Sequence, residues 1–148
     1  MHKSNIVAIA AATMLASAFT FAGASNASDR IRFQCSAFGA TDISMTARYE
    51  IRGTTATARR KFTTEFEAAP GLGFTAGNRV NIQVKGVLVG SAVLERIVGG
   101  DVVADLNFDT RPQLDALPFP ANWPANVGRG TQVKVLKGTT VVLGCTLG

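Results

Sequence analysis

Apolar and polar residues alternate with a period of two along most of the chain after residue 28. In the stretch 30–37 the apolar positions are Ile31, Phe33, Cys35 and Ala37. The stretches 45–52, 79–85 and 139–147 alternate in the same way. This alternation is typical of β-strands that bury one face. We predict eight strands, over 30–36, 43–52, 55–67, 79–85, 87–98, 101–109, 131–136 and 139–147.

Turn signals separate these strands, for example at 70–78, Lys85-Gly86, Gly99-Gly100 and Lys137-Gly138. No stretch beyond the N-terminal region shows the 3.6-residue period of an amphipathic helix. Several short strands joined by regular turns are typical of a β-sandwich or a β-barrel. We favour an immunoglobulin-like antiparallel sandwich of seven or eight strands. About 120 residues suit one domain, which we predict to span 28–148.

The first 27 residues have the features of a secretory signal peptide. Lys3 precedes an apolar run, and small residues follow that run at 22–28. This order predicts cleavage after Ala24 or Ala27. A membrane anchor is the alternative, but the run is short for a spanning helix and ends in cleavable residues. We therefore expect an exported protein, in the periplasm or secreted, with no membrane span after cleavage.

The chain has two cysteines, Cys35 in the first predicted strand and Cys145 in the last. Both lie at apolar positions of their strands, and two cysteines in an oxidising compartment usually pair. Their bridge would close a loop of roughly 110 residues, for which the chain-entropy model gives about 4.7 kcal/mol. We predict a structural disulfide that joins the first and last strands. A redox-active pair is disfavoured because the Cys-x-x-Cys spacing is absent.

Composition restricts the chemistry of the exported chain. The whole sequence has 15 Lys and Arg against 10 Asp and Glu, a net charge of +5. Loss of Lys3 lowers this to about +4, which favours weak association with anionic surfaces. The one histidine, His2, lies in the leader, so Ser-His-Asp and Cys-His catalysis and the usual zinc ligand are missing. We predict a non-enzymatic protein with no metal or cofactor, and export disfavours nucleic acid as a partner.

A row of acidic residues follows a glycine pair, with Asp101, Asp105 and Asp109 on one strand face. If the glycines form a two-residue hairpin loop, Arg96 lies diagonal to Asp101 and Asp105 and balances a solvated face. That register leaves Glu95 on the apolar face. The alternative is a calcium-binding protein or a carboxylate-dependent enzyme. Asp105 and Asp109 would be about 13 Å apart, too far for a glycosidase pair, and a flat strand does not gather ligands around Ca²⁺.

The basic run 58–62 places Arg59 and Lys61 on one face, and Arg60 with Phe62 on the other. Charges of this kind protect an edge strand from pairing with other chains, and we predict such an edge here. The alternative is a contact surface for an anionic polymer of the envelope. A protein partner, which would make this chain an inhibitor or an adhesin subunit, would use the same charged edge.

The segment 111–130 contains four prolines and the single tryptophan, Trp123. We predict a stiff crossover between two strands, because proline restricts the backbone and cannot donate to a sheet. A long loop in a small domain is usually functional or packed down by its own side chains. In the first interpretation Trp123 belongs to a lid over one end of the sandwich. In the second it stacks on a sugar ring, and the ligand-binding residues are Trp123, Phe119, Asn122 and Asn126.

Together these features predict an exported, non-enzymatic protein of the bacterial envelope that binds or supports another component. Its specific form is a module that binds carbohydrate or an anionic envelope polymer through 111–130. The alternatives are the calcium or carboxylate chemistry of the acidic row, and a module that binds a protein partner.

Overall fold

Nine β-strands form the described parts of the chain, residues 29–53 and 57–148, in a computed structural model. Their bounds are β1 Arg30–Phe38, β2 Ile43–Arg52, β3 Arg59–Ala68, β4 Arg79–Val84, β5 Val87–Val93, β6 Glu95–Arg96, β7 Val102–Asp109, β8 Gln132–Lys137 and β9 Thr140–Thr146. The predicted leader, with cleavage after Ala24 or Ala27, lies outside the described residues. So do the first two positions of the predicted strand 55–67. Within the described ranges no helix is long and apolar enough to cross a membrane.

The strands form two antiparallel sheets that pack on each other. Sheet A has the order β1-β2-β3-β7-β6, and sheet B has the order β5-β4-β8-β9. The prediction of an all-β antiparallel sandwich is confirmed, and the disulfide Cys35–Cys145 joins the first and last strands as expected. The first three strands are neighbours in one sheet, whereas the constant-type immunoglobulin order places the third strand in the opposite sheet.

The core lies between the inner faces of the two sheets. Sheet A contributes Met45, Phe62 and Phe66, and all three side chains are almost completely buried. Ile82 and Val133 of sheet B are buried to the same degree. Burial of one side chain of this size stabilises a fold by roughly 1.5–3 kcal/mol. The alternation of each strand therefore directs its apolar positions inward and leaves its polar positions on the outer faces.

The two sides of the sandwich are closed by covalent connections. On one side the chain leaves sheet B at the end of β5, passes the buried Leu94 and enters sheet A as β6. The predicted single strand 87–98 is divided at this corner. On the other side the disulfide connects β1 with β9, and the backbone of Gln34 exchanges two hydrogen bonds of 3.2 Å with Gly148. The first and last strands thus hold the two sheets together at this side.

The hairpin between β6 and β7 differs by one residue from the predicted register. Glu95 lies opposite Val103, and the loop is longer than the predicted two-residue turn. This register places Glu95 on the exposed side of the sheet, which removes the conflict of a carboxylate on the apolar face. The predicted ion pair of Arg96 with Asp101 and Asp105 is wrong, because Arg96 shares a face with the inward positions of β7.

Strand β3 is central in sheet A, so the prediction of a protected edge at 58–62 is wrong. It pairs with β2 on one side and with β7 on the other. Phe62 and Phe66 lie on its inner face, and both side chains are buried. Neighbouring strands flank these two residues on both sides. Arg59 and Lys61 therefore lie on the outer face of a central strand, where they pair with a carboxylate of β7 instead of protecting an edge.

Removal of the disulfide by Cys35→Ser together with Cys145→Ser should destabilise the protein and keep its sheet content. The chain-entropy model assigns about 4.7 kcal/mol to a closed loop of this length. Chemical denaturation of the oxidised protein, the reduced protein and the double variant measures the change. The reduced protein and the variant should unfold at the same denaturant concentration, below that of the oxidised protein. Equal midpoints for all three would contradict the stabilising role of the bridge.

Candidate functional site

The crossover between β7 and β8 caps one end of the sandwich with Trp123. The centroid of its ring lies 5.0 Å from that of Phe62, 5.9 Å from Phe108 and 4.8 Å from Phe119. The ring of Tyr49 lies 6.0 Å away. The half-buried indole thus packs against side chains of β2, β3 and β7 and completes the aromatic end of the core. This position is the one that the lid interpretation requires.

The other predicted binding residues of the crossover have separate environments. Phe119 has the guanidinium of Arg60 5.2 Å from its ring centroid. Asn122 Nδ2 donates a hydrogen bond of 3.0 Å to the carbonyl of Leu88 in β5. Asn126 is exposed and has a φ of 56°, a left-handed conformation that asparagine tolerates in turns. Phe119 and Asn122 therefore fix the crossover on the sandwich rather than extending an open aromatic surface.

The outer face of sheet A carries rows of charged and polar side chains, and we call this surface the polar face. The registers of β1, β2, β3 and β7 align the rows across the sheet. The first two rows are Arg30, Arg52 and Arg59, then Arg32, Glu50, Lys61 and Asp109. The next two are Gln34, Arg48, Thr63 and Asn107, then Ser36, Thr46, Glu65 and Asp105.

Glu50 lies among three arginines at one end of the polar face and is only 4% exposed. Its carboxylate oxygens contact Arg30 at 2.7 Å, Arg32 at 3.2 Å and Arg52 at 2.6 Å. Burial opposes ionisation, but the hydrogen bonds and charges of Arg30 and Arg52 outweigh it and lower the pKa of Glu50 to about 2. The buried anion thus holds three guanidinium groups together, each with donors left for a ligand.

Asp109 has a similar role beside β3 and is 1% exposed. Arg59 Nη2 donates to it at 2.6 Å, the backbone N–H of Arg111 donates at 2.9 Å, and Lys61 Nζ lies 3.9 Å away. The Arg59 hydrogen bond lowers the pKa of Asp109 against the opposing effect of burial. Asp109 is therefore a buried ion-pair partner and not the solvated residue that the strand pattern predicts.

The other two aspartates of the predicted row lie towards the opposite end of the polar face. Asp105 is exposed, and partial burial of its carboxyl together with the charge of Glu95 raises its pKa. Burial and a hydrogen bond with Asp101 raise the pKa of Glu67. Within 29–53 and 57–148 no three acidic, histidine or cysteine side chains come together as a metal site. The three aspartates of the predicted calcium or carboxylate site are therefore not brought together. Asp101 pairs with Glu67, Asp105 lies near Glu95, and Asp109 pairs with Arg59.

Opposite charges are separated along the polar face. Its basic end contains Arg30, Arg32, Arg48, Arg52, Arg59 and Lys61, above the two buried carboxylates. Its acidic end contains Glu65, Glu67, Glu95, Asp101 and Asp105. Four residues of strand separate Lys61 from Glu65, which corresponds to about 13 Å. The surface therefore has an electric field that runs along the strands.

Two adjacent hollows form a groove on the polar face. The larger has a volume of about 590 Å³ and lies over polar side chains of the middle rows. The smaller, of about 120 Å³, lies at the basic end among Arg30, Arg52 and Lys61. Arg48 and Thr63 line both hollows. The groove therefore offers hydrogen-bonding groups in its middle and cations at one end.

Another hollow, of about 670 Å³, lies outside this groove at the turn between β1 and β2. Its lining combines the exposed Phe38 with the carboxyl groups of Asp42, Glu67 and Asp101, and contains no cation. Like charges without a convergent set of donors do not define a ligand site, so we assign the candidate site to the polar face.

The alternation along the chain contains a signal for the arginine cluster. Arg48, Glu50 and Arg52 occupy the outward positions of β2, and Arg30 and Arg32 occupy those of β1. A hairpin between two such strands brings these rows together once its register is known. The alternation alone does not specify this register, and a shift of one residue changes which side chains lie opposite each other.

Glu50→Gln should lower stability near neutral pH and flatten its dependence on acid. The pKa of Glu50 in the folded protein is about 2, below its usual 4.5. Its stabilising contribution is therefore present above about pH 5 and is lost as the pH falls towards 2. The loss in the variant at pH 7 should be at most about 3 kcal/mol. Urea denaturation between pH 2 and pH 7 measures both effects.

The exposed Asp115 of the crossover supplies the control for this experiment. Asp115→Asn should reproduce the wild-type dependence on pH, because its carboxylate faces solvent. If the Glu50→Gln curve runs parallel to the wild-type curve over the whole range, the ion pairs of Glu50 do not control acid stability.

Trp123→Ala should destabilise the protein by about 2–4 kcal/mol, because it opens the aromatic end of the core. Leu114→Ala is the matched control, since Leu114 belongs to the same crossover and is fully exposed. Equilibrium denaturation followed by circular dichroism gives both values. An unchanged midpoint for Trp123→Ala would show that the ring does not support the core, and would favour the sugar-stacking interpretation.

Comparisons of the chain with protein-family models, with curated proteins and with solved structures find no match. The candidate site is therefore defined by the geometry of the polar face. Its residues come from four strands whose registers bring them together.

Proposed function

We propose that this chain is an exported, non-enzymatic binding protein of the bacterial envelope, periplasmic or secreted, that binds an anionic polysaccharide on its polar face. The observation that carries the proposal is the group of arginines held together by the buried Glu50. The disulfide fits an oxidising compartment, and the pattern of residues 1–27 agrees with export. We place binding on the sheet and not on the crossover, because Trp123 packs on the core.

The basic end can bind an anion with little reorganisation. The side chains of Arg30, Arg32 and Arg52 are 44%, 37% and 42% exposed, and each contacts Glu50 through one nitrogen. Their other N–H groups remain available as donors. The planar guanidinium matches carboxylate, sulfate and phosphate groups. Because Glu50 already restricts these side chains, less conformational entropy is lost when a ligand binds.

The basic end also keeps an excess of positive charge after its internal ion pairs are formed. Its six cations and two carboxylates leave a net charge of about +4, which attracts a polyanion over about 10 Å at 0.1 M salt. The whole chain carries +5. The positive excess of the protein is thus concentrated on one part of one sheet, which favours a polyanionic ligand at that place.

The middle rows add groups that suit the hydroxyls of a sugar. Gln34, Thr63 and Asn107 line the larger hollow. Amide and hydroxyl groups both donate and accept hydrogen bonds, as sugar hydroxyls do. A polysaccharide with acidic substituents therefore matches both parts of the groove, whereas a bare polyphosphate matches the basic end alone.

The ionisable groups of the basic end support the non-enzymatic part of the proposal. Glu50 and Asp109 have lowered pKa values, so neither carboxyl holds a proton to donate near neutral pH. Cys35 and Cys145 are joined and offer no thiolate nucleophile. At the basic end we therefore propose binding without chemical conversion.

Arg48→Ala should weaken binding to dextran sulfate about tenfold and leave stability unchanged. Arg48 lines both hollows and makes no ion pair within the described ranges, so its removal uncovers no buried charge. Arg79→Ala is the matched control, since Arg79 is an exposed arginine at the start of β4 in the other sheet. Calorimetric titration with dextran sulfate and with uncharged dextran, at two salt concentrations, measures the affinities.

Binding at the polar face is supported if the affinity for dextran sulfate falls with salt and depends on Arg48 but not on Arg79. Equal losses in the two variants would show that only the overall charge matters and would overturn the location. Absence of binding to sulfated, phosphorylated and carboxylated polysaccharides alike would overturn the proposed function.

A further inference from the structure

We infer that the polar face recognises a zwitterionic saccharide, with a phosphate group in the small hollow at the basic end and a free amino group at Glu65 and Asp105. This inference rests on the proposed function and specifies its ligand. The groove has ends of opposite charge joined by neutral hydrogen-bonding groups. A simple polyanion would use only one of these ends, whereas a zwitterionic segment uses both.

The small hollow has a lining that suits one tetrahedral oxyanion. Its volume is about 120 Å³, and its lining consists of Arg30, Arg48, Arg52, Lys61, Thr63 and Glu50. Glu50 is the one anion in this lining, and Arg30 and Arg52 already neutralise its carboxylate. Phosphate accepts several charge-assisted hydrogen bonds at once, from guanidinium, ammonium and hydroxyl donors. A planar carboxylate has fewer acceptor oxygens and would leave more of these donors without a partner. The lining therefore favours a tetrahedral oxyanion over a carboxylate. A phosphate monoester, with close to two negative charges, matches the excess of cations better than a singly charged sulfate.

The opposite end of the larger hollow is suited to a cation. Glu65 and Asp105 lie opposite each other on β3 and β7 and both line this hollow. Both are exposed, and neither makes an ion pair within the described ranges. Partial burial and, to a lesser degree, the charge of Glu95 raise the pKa of Asp105. Glu95 thus adds a further negative charge near these two carboxyl groups. An ammonium group of the ligand would compensate this negative charge.

The separation of the two ends sets the length of the ligand. Lys61 and Glu65 are four residues apart on β3, which corresponds to about 13 Å between their Cα atoms. The span suits a disaccharide with phosphate on one sugar and an amine on the other. Gln34 and Asn107, between the two ends, are then placed to bind the sugar hydroxyls.

A second copy of this chain is the competing occupant of the polar face. A half-turn would bring the basic end of one copy onto the acidic end of the other. Stable protein interfaces have an apolar core, however, and the middle rows of the polar face consist of polar and charged side chains. The recessed groove therefore favours the saccharide.

Calorimetry with matched disaccharides tests the inference on the oxidised protein. The reference probe carries a phosphate on one sugar and a free amine on the other. N-acetylation of the amine should weaken binding about fivefold, and removal of the phosphate about tenfold or more. In Glu65→Gln with Asp105→Asn the effect of N-acetylation should disappear while the effect of the phosphate remains. In Arg48→Ala the effect of the phosphate should shrink while the effect of N-acetylation remains.

Asp42→Asn is the control for the acidic variant, because Asp42 is an exposed carboxylate at the turn between β1 and β2, outside the groove. It should leave both effects unchanged. Equal binding of the free-amine and N-acetylated probes, with dextran sulfate still bound through Arg48, would overturn the zwitterionic ligand and leave the proposed function intact. Failure of dextran sulfate and of all the disaccharides would overturn both.

Light scattering at low salt measures the oligomeric state and tests whether a second copy of the chain occupies the polar face. We expect a monomer under the conditions of the titration. A dimer that dissociates in salt, and that is lost in Glu65→Gln with Asp105→Asn, would overturn the saccharide in favour of a second copy of the chain. Equal affinity for a carboxylate-bearing disaccharide and the phosphate-bearing probe would overturn the assignment of phosphate to the small hollow.

Discussion

The register of β3 between its two neighbours determines both the core and the polar face. Phe62 and Phe66 lie on its inner side, and Lys61, Thr63 and Glu65 lie on its outer side. A slip of one residue would move the charges into the core and the phenylalanines into solvent. Because burial of two phenylalanines is worth several kcal/mol, the register that builds the core also aligns the outer rows. Stability and the candidate site therefore share one constraint.

The buried carboxylates give the basic end its order, and their lowered pKa values show that their ion pairs outweigh the burial of the charge. Apolar residues in place of Glu50 and Asp109 would avoid the desolvation of two charges. Without these anions, however, several arginines on neighbouring strands would repel one another and spread into solvent. The carboxylates hold the guanidinium groups close together and leave their remaining donors exposed. Such an arrangement can bind an anion without reorganisation, which is the physical reason to propose a binding site here.

Strand positions and strand faces follow from the sequence because they depend on adjacent residues. The faces of β1 and β9, together with the predicted compartment, also lead to the pairing of Cys35 with Cys145. Strand neighbours depend on contacts between distant segments, and the central position of β3 was missed for that reason. Glu95 is an example of what the alternation alone cannot determine. The alternation reveals a conflict at this residue, but only the register of the β6–β7 hairpin resolves it.

The candidate site is harder to predict from the sequence than the strands are. The single tryptophan is conspicuous in the sequence, whereas the charged residues of the polar face belong to common residue types. Trp123 in a proline-rich loop is compatible with a lid and with a sugar platform, and the alternation of the strands does not tell which surface its ring contacts. The structure gives the crossover a role in closure, since Leu117 also hydrogen-bonds to Asn107 and Asp109 along the edge of β7. The polar face is separate from this closure, because it lies on the outer side of sheet A, whereas Trp123 of the crossover packs on the core. Binding by charge alone on an open surface is sensitive to salt. In the binding mode that we propose, selectivity would therefore come from the spacing between opposite charges and not from the strength of either one.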